Sequence, residues 1–141
     1  LPNREVEMFT KRKHAATIDS LIGAGSRIEG NVSFTGGLRV DGEVRGNIRA
    51  VGDKPGTLVV SERARIEGEI HVDYIVINGE VVGPVHAKES AELMQKARVA
   101  GDVFYRAIEV HVGGVVTGRL VHTDVTRQDK VVELKSLAPA K

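Results

Sequence analysis

Val40-Asp41-Gly42-Glu43-Val44-Arg45-Gly46-Asn47-Ile48 is the stretch whose reading decides the fold. From Leu38 to Ala50 one parity set is Arg39, Asp41, Glu43, Arg45, Asn47 and Arg49, all polar. The other is Leu38, Val40, Gly42, Val44, Gly46, Ile48 and Ala50. A period of two with one wet face predicts β-structure. Glycine inside such a run has two readings: a narrow interior with no room for a side chain, or a bend that needs positive φ.

The same phrase recurs along the chain. Ile77 to Val85 and Val112 to Leu120 align with Val40 to Ile48 without a gap, each with glycine at its third and seventh positions. A second kind of unit carries one glycine behind a leader: Ile22 to Val32, Val60 to Ile70 and Val99 to Val103 with its leader from Leu93. The two kinds alternate, and one of each recurs about every 33–38 residues, so a turn is about 17–19 residues, the size of a three-sided solenoid coil. Three such pairs predict about six turns in a single all-β domain over residues 18–122, with disordered tails at 1–17 and 123–141. The Val51-Gly52-Asp53-Lys54-Pro55-Gly56 cluster lengthens one copy and reads as a loop bulging from the coil. Ala87 to Ala97 has helix-forming composition, but its alignment with Thr57 to Ala64 assigns it to the coil.

Composition agrees and excludes several functions. Among 141 residues there are sixteen Gly, no Trp, no Cys, three Phe and two Tyr, with Val and Ile in excess. Without cysteine there is no disulfide, thiolate catalysis or Cys-ligated zinc, as expected of a reducing cytoplasm. No apolar run is long enough to span a membrane, and no secretory signal is evident. A formal charge of +1 argues against a dedicated nucleic-acid binder.

Arg-[Ile/Val]-x-Gly-x-[Ile/Val] and [Val/Ile]-x-Gly-x-Val-x-Gly-x-[Ile/Val] phrases over about a hundred residues, flanked by short polar tails, resemble a bactofilin. The resemblance covers roughly Ile18 to His122. It implies a right-handed parallel β-helix that polymerises end to end, without nucleotide, into non-polar filaments serving as a bacterial cytoskeletal scaffold for cell-envelope or morphogenesis proteins. It also implies a Met-Phe-led, Lys-containing membrane-binding segment, here Met8-Phe9-Thr10-Lys11-Arg12-Lys13, with Met8 a candidate natural start.

Elementary physics points to the same assembly. A solenoid exposes unpaired strand edges and an apolar cross-section only at its first and last turns. Neither tail offers a strong amphipathic helix as a lid. Candidate junction residues are therefore Ile18, Leu21 and Ile22 at one end and Val110, Val112, Val116 and Leu120 at the other, with Phe104 and Tyr105 as possible anchors or as corner packing. Met8 and Phe9 could insert at an anionic membrane surface while Lys11, Arg12 and Lys13 meet lipid headgroups, multiplied by avidity along a filament; the alternative is a solvated basic tail. Val131, Val132, Leu134 and Leu137 could fold back on the last turn or bind a partner.

Superposing the two kinds of unit places Arg27, Arg39, Arg65, Val76, Arg98 and His111 in one outward line, and Asn31, Glu43, Glu69, Glu80 and Asp102 in another. Two readings of the acidic line stand: a solvated surface that keeps filaments from bundling, or a strip of Glu43, Glu69, Glu80 and Asp102 that docks a basic partner. The competing class is a trimeric left-handed hexapeptide-repeat enzyme, an acyltransferase or a zinc carbonic anhydrase, which needs histidines converging between subunits. In this superposition His71, His86 and His111 face outward but fall at different points of their turns. Gly23-Ala24-Gly25-Ser26 lacks the third glycine of a dinucleotide loop and the Lys of a triphosphate loop. The sequence is read as a non-enzymatic scaffold with no metal or cofactor.

Overall fold

Short strands that recur at a fixed period stack turn on turn, and in the computed structural model, which describes residues 18–123, they coil into about six triangular turns. The first turn is β1 (Ser20–Ile22), β2 (Arg27–Glu29) and β3 (Val32–Phe34). The second is β4 (Gly37–Val40), β5 (Glu43–Arg45) and β6 (Ile48–Ala50). The third comprises β7 (Thr57–Val60), β8 (Arg65–Glu67) and the first half of β9 (Ile70–Ile77). The second half of β9 opens the fourth turn, which continues through β10 (Glu80–Val82) into β11 (Val85–Leu93). β11 likewise passes through a corner into the fifth turn, followed by β12 (Arg98–Ala100) and β13 (Val103–Val110). The rest of β13, β14 (Val115–Thr117) and β15 (Leu120–His122) close the sixth. The helix-forming composition after Ala87 thus yields to the strand ladder, because β11 is paired on both sides.

Every ladder is parallel and joins one turn to the next. Three faces result. Face A carries β1, β4, β7 and the second halves of β9, β11 and β13. Face B carries β2, β5, β8, β10, β12 and β14. Face C carries β3, β6, the first halves of the long strands and β15. An aliphatic column runs the height of each face, Ile22-Val40-Val60-Ile77-Leu93-Val110 behind A, Ile28-Val44-Ile66-Val81-Val99-Val116 behind B and Val32-Ile48-Ile70-Val85-Val103-Leu120 behind C, and a shorter one, Leu38-Leu58-Ile75-Ala91, lies beside the first behind A. The four middle members of each full-height column are buried, and burial contributes about 1.5–3 kcal/mol for each such side chain. The β-branched residues dominating the columns suit a pleated surface with stiff χ1.

Both readings of glycine hold, at different corners. Between B and C, Gly30, Gly46, Gly68, Gly83, Gly101 and Gly118 form a column with φ from 128° to 157°. Except at Gly30, a side chain there would also strike the backbone carbonyl of the glycine one turn below. Between A and B the turns differ. Single-glycine units use hydrogen-bonded turns, Ser26 N to Gly23 O (3.0 Å), Ala64 N to Ser61 O (2.9 Å) and Ala97 N to Met94 O (3.1 Å), whereas Gly42 and Gly79 close tighter corners over them. The corner therefore has a wide and a narrow version, and the last turn, though its sequence aligns with the double-glycine units, takes the wide one, with Gly114 N bonded to His111 O (3.0 Å) and Val110 instead of Val112 in the column. Val51 to Pro55 protrudes from the second turn as an exposed loop, as its composition predicts.

Candidate functional site

The ends of the solenoid are where its regular pairing stops. In the described residues the last-turn strands are bonded on one side only, and so are those of the first turn. The aliphatic columns surface there: Val110 and Leu120 are exposed and Val116 is half-buried. Val112 projects from the last A–B corner at 94% exposure. At the opposite end Ile18 is exposed and Leu21, facing outward on β1, is 59% exposed. Ile22, by contrast, is buried as the base of its column. Phe104 is not in the end cross-section at all. It points out of face C and stacks on His86, centroids 4.6 Å apart. Tyr105 packs inward against the core, edge-on to His122 at 5.7 Å. Of the exposed large apolar side chains among the described residues, only Val51, in the protruding loop, lies away from the end turns.

The flanks correct the outward lines expected from the sequence. Those lines set the first glycine of each double-glycine phrase over the single glycine, but it is the second that stacks: Gly46 on Gly30, and Gly83 on Gly68. The resulting four-residue shift replaces the like-charged line with an alternating one. Arg27 pairs with Glu43, Glu43 with Arg65, Arg65 with Glu80, and Glu80 with Arg98, while Glu29-Arg45-Glu67 runs beside them in opposite phase. Arg39 and Val76 lie instead on face A, and His111 beyond it. The acidic strip likewise divides: Glu43 and Glu80 sit on face B with Arg65 between them, whereas Glu69 and Asp102 sit at the B–C corner.

On face B the charges close into a zigzag. Arg27 reaches Glu43 at 3.4 Å, Arg45 reaches Glu43 at 3.4 Å, and Arg65 holds Glu67 at 2.6 Å and Glu80 at 2.8 Å. Glu67 is held below the usual carboxylate range chiefly by its hydrogen bond from Arg65. Asp41 is lowered by Ser61 and then Arg39, and Asp102 by Arg119. Amide and carboxylate side chains also tie the corners. Asn47 N donates to Asn31 Oδ1 (3.0 Å), Glu69 N to Asn47 Oδ1 (2.9 Å) and Arg119 N to Asp102 Oδ1 (2.9 Å).

The same four-residue shift brings two histidines together that the sequence superposition kept apart. His71 and His86 are direct ladder partners on face C, rings 4.3 Å apart and 4° from parallel. Phe104 continues the stack on the far side of His86. Glu69 Oε2 faces both imidazoles. Burial, and secondarily the His71 ring, hold His86 below the ordinary histidine range, with Glu69 opposing. His111 stands apart, bonded to Glu92 at 2.9 Å.

The membrane-binding candidates Met8, Phe9, Lys11, Arg12 and Lys13 and the apolar positions of the C-terminal tail lie outside the described residues. No helix among the described residues is long and apolar enough to cross a membrane. Comparison with known proteins gives a family match over residues 20–121, to the polymer-forming cytoskeletal bactofilins. Bactofilin BacP of Myxococcus xanthus (strain DK1622) is 27% identical over 107 residues, which is 76% of this chain and 43% of that protein. The chain thus matches less than half the length of that relative. No solved structure matches. The match spans the solenoid from its first strand to its last, and the chain belongs to the bactofilins, a family of polymer-forming cytoskeletal proteins.

Proposed function

We propose that this chain assembles end to end, without nucleotide, into non-polar filaments that lie on the inner face of the cytoplasmic membrane and scaffold cell-envelope or morphogenesis proteins. One observation carries the reading: the exposed large apolar side chains of the described residues gather at the two end turns, next to strand edges bonded on one side. Edges of this kind are templates for another chain, and apolar cross-sections gain about 25 cal/mol per Å² when covered. Nothing in such a junction calls for nucleotide, because burial and edge pairing supply the driving force. Opposed copies that meet like end to like end give a filament without polarity.

Membrane attachment rests on Met8 and Phe9 beside Lys11, Arg12 and Lys13, a pairing of apolar and cationic side chains suited to anionic lipid. Repetition along a filament multiplies a weak single contact. Negative-stain electron microscopy of the purified chain in nucleotide-free buffer, with and without anionic liposomes, tests both halves. Filaments of uniform width that decorate liposomes are expected, with decoration lost in Phe9→Arg and filaments retained. Discrete trimers would overturn the scaffold reading in favour of a hexapeptide-type enzyme. Decoration unchanged by Phe9→Arg would overturn the membrane role of the tail.

A further inference from the structure

The mid-height flank of face C carries a donor set that filament assembly does not use. Glu69 and His71 belong to the third turn and His86 to the fourth. One carboxylate oxygen and one ring nitrogen from each histidine all lie within 4.8 Å of one another. His71 Nε2 is 3.3 Å and His86 Nε2 3.5 Å from the same Glu69 Oε2. In a tetrahedral zinc site with metal–ligand bonds of about 2.0–2.1 Å, neighbouring ligand atoms are separated by about 3.3–3.4 Å. Two edges of the required triangle therefore already have the right length, and the two rings, now stacked 4° from parallel, tilt toward the shared ion for their in-plane lone pairs to converge.

We propose that Glu69, His71 and His86 form a binding site for one first-row divalent transition-metal ion, Zn²⁺ being the representative case, bridging two turns of the solenoid. Two imidazoles and a carboxylate are the borderline donors that such an ion prefers over Mg²⁺ or Ca²⁺, which take oxygen.

The donors are held in place from below and from the side. Backbone pairing fixes His71 under His86, and Phe104 confines the His86 ring from its other face. Glu69 follows the Gly68 corner, where its amide is anchored on Asn47. Arg49, the ladder partner beneath His71, is the opposing cation on this column. All three donor side chains are partly exposed, so the remaining coordination positions open to solvent and take water or a donor from another molecule. The site lies within one chain and is independent of end-to-end assembly.

A second group, Glu92, Glu109 and His111, serves as an internal control. It has one imidazole and two carboxylates, and His111 is already engaged by Glu92 at 2.9 Å.

The test uses the untagged full chain, freed of metal by chelator and dialysis, titrated with Zn²⁺ by calorimetry and with Co²⁺ by visible absorption. One equivalent per chain is expected to bind, with a tetrahedral-type Co²⁺ visible band. His71→Gln and His86→Gln should each weaken binding at least tenfold and abolish the band, while His111→Gln leaves both unchanged. Circular dichroism of each variant checks that the solenoid has formed. Absence of saturable one-to-one binding by the unaltered chain would overturn the proposal without recourse to any variant. So would binding unaffected by His71→Gln and His86→Gln, or binding lost in His111→Gln.

Discussion

Arg65 bridges two turns: its Nη2 lies 2.6 Å from Glu67 Oε2 on its own strand, and its Nη1 lies 2.8 Å from Glu80 Oε2 on the strand above. Arg65→Glu would set a fourth carboxylate among Glu43, Glu67 and Glu80 and is expected to lower the thermal midpoint by a few degrees. Adding Glu67→Arg and Glu80→Arg to the same chain should recover only part of the loss, because those positions are the ladder partners of Arg45 and Arg98. Circular dichroism melts at low and high salt check this, since salt weakens exposed pairs and should narrow the gap between variants.

The same pair sets an acid dependence. Glu67 titrates below its ordinary value of 4.5 because Arg65 stabilises the carboxylate. A carboxyl lowered on folding contributes stability that is present above its unfolded pKa and is lost as pH falls through the folded one. Glu67→Gln removes the contribution. Its midpoint should lie below that of the unaltered chain at pH 6 and converge on it as the pH falls below 4.5. A constant gap down to pH 2 would show that the ion pair is not the cause.

Gly68 and Gly30 occupy equivalent corners with unequal surroundings. Both have positive φ, 149° and 128°, but a side chain at Gly68 would meet the Gly46 carbonyl, whereas at Gly30 no atom lies within 4 Å. Gly30→Ala is expected to cost about 1 kcal/mol, from backbone conformation alone. Gly68→Ala adds a clash with rigid backbone and should cost about 3 kcal/mol or more. Equal costs by denaturant unfolding would mean that the column is set by φ and not by space.

Leu120, Val110 and Val51 are all exposed apolar residues, the first two at the last turn and the third in the loop. Val110→Arg with Leu120→Arg should abolish filaments, and Val51→Arg should leave them intact. If like ends meet, the blocked chain retains one competent end and stops at dimers. Head-to-tail assembly would leave monomers instead. Sedimentation velocity of the double variant distinguishes the two, and long filaments from it would remove the last turn from the junction.

Most of the architecture was legible because repetition speaks directly to a coil. The alternation from Leu38 to Ala50, the loop at Val51 to Pro55 and the strand after Ala87 all follow from aligned phrases. The vertical register was not legible from glycine alone. Each double phrase offers two glycines, and both fit an apolar column because Val40 and Val44 are equally aliphatic and equally buried. A signal was nonetheless present in the charges. Setting Glu43 on Arg27 and Glu80 on Arg65 pairs opposite signs, whereas setting Arg39 on Arg27 opposes like ones, so cross-strand electrostatics selects the observed register. That choice would also have placed His86 on His71. The outward side of Phe104 was likewise available, since Val103 faces in and neighbours alternate. What covers the ends could not be read in this way, because it is decided between molecules.

The continuous parallel ladders have a mechanical consequence. Their hydrogen bonds run along the solenoid axis, so a pull along an end-to-end filament loads every turn of a subunit in series, with three strand ladders sharing the tension at each level. Within a subunit, separating two turns means breaking all three ladders and uncovering the aliphatic columns behind them at once. In the proposed filament the junction would instead meet through the exposed and half-buried column ends at Val110, Val116 and Leu120. Under tension the proposed filament is expected to fracture between subunits and leave each one whole, so that breakage regenerates ends able to rejoin.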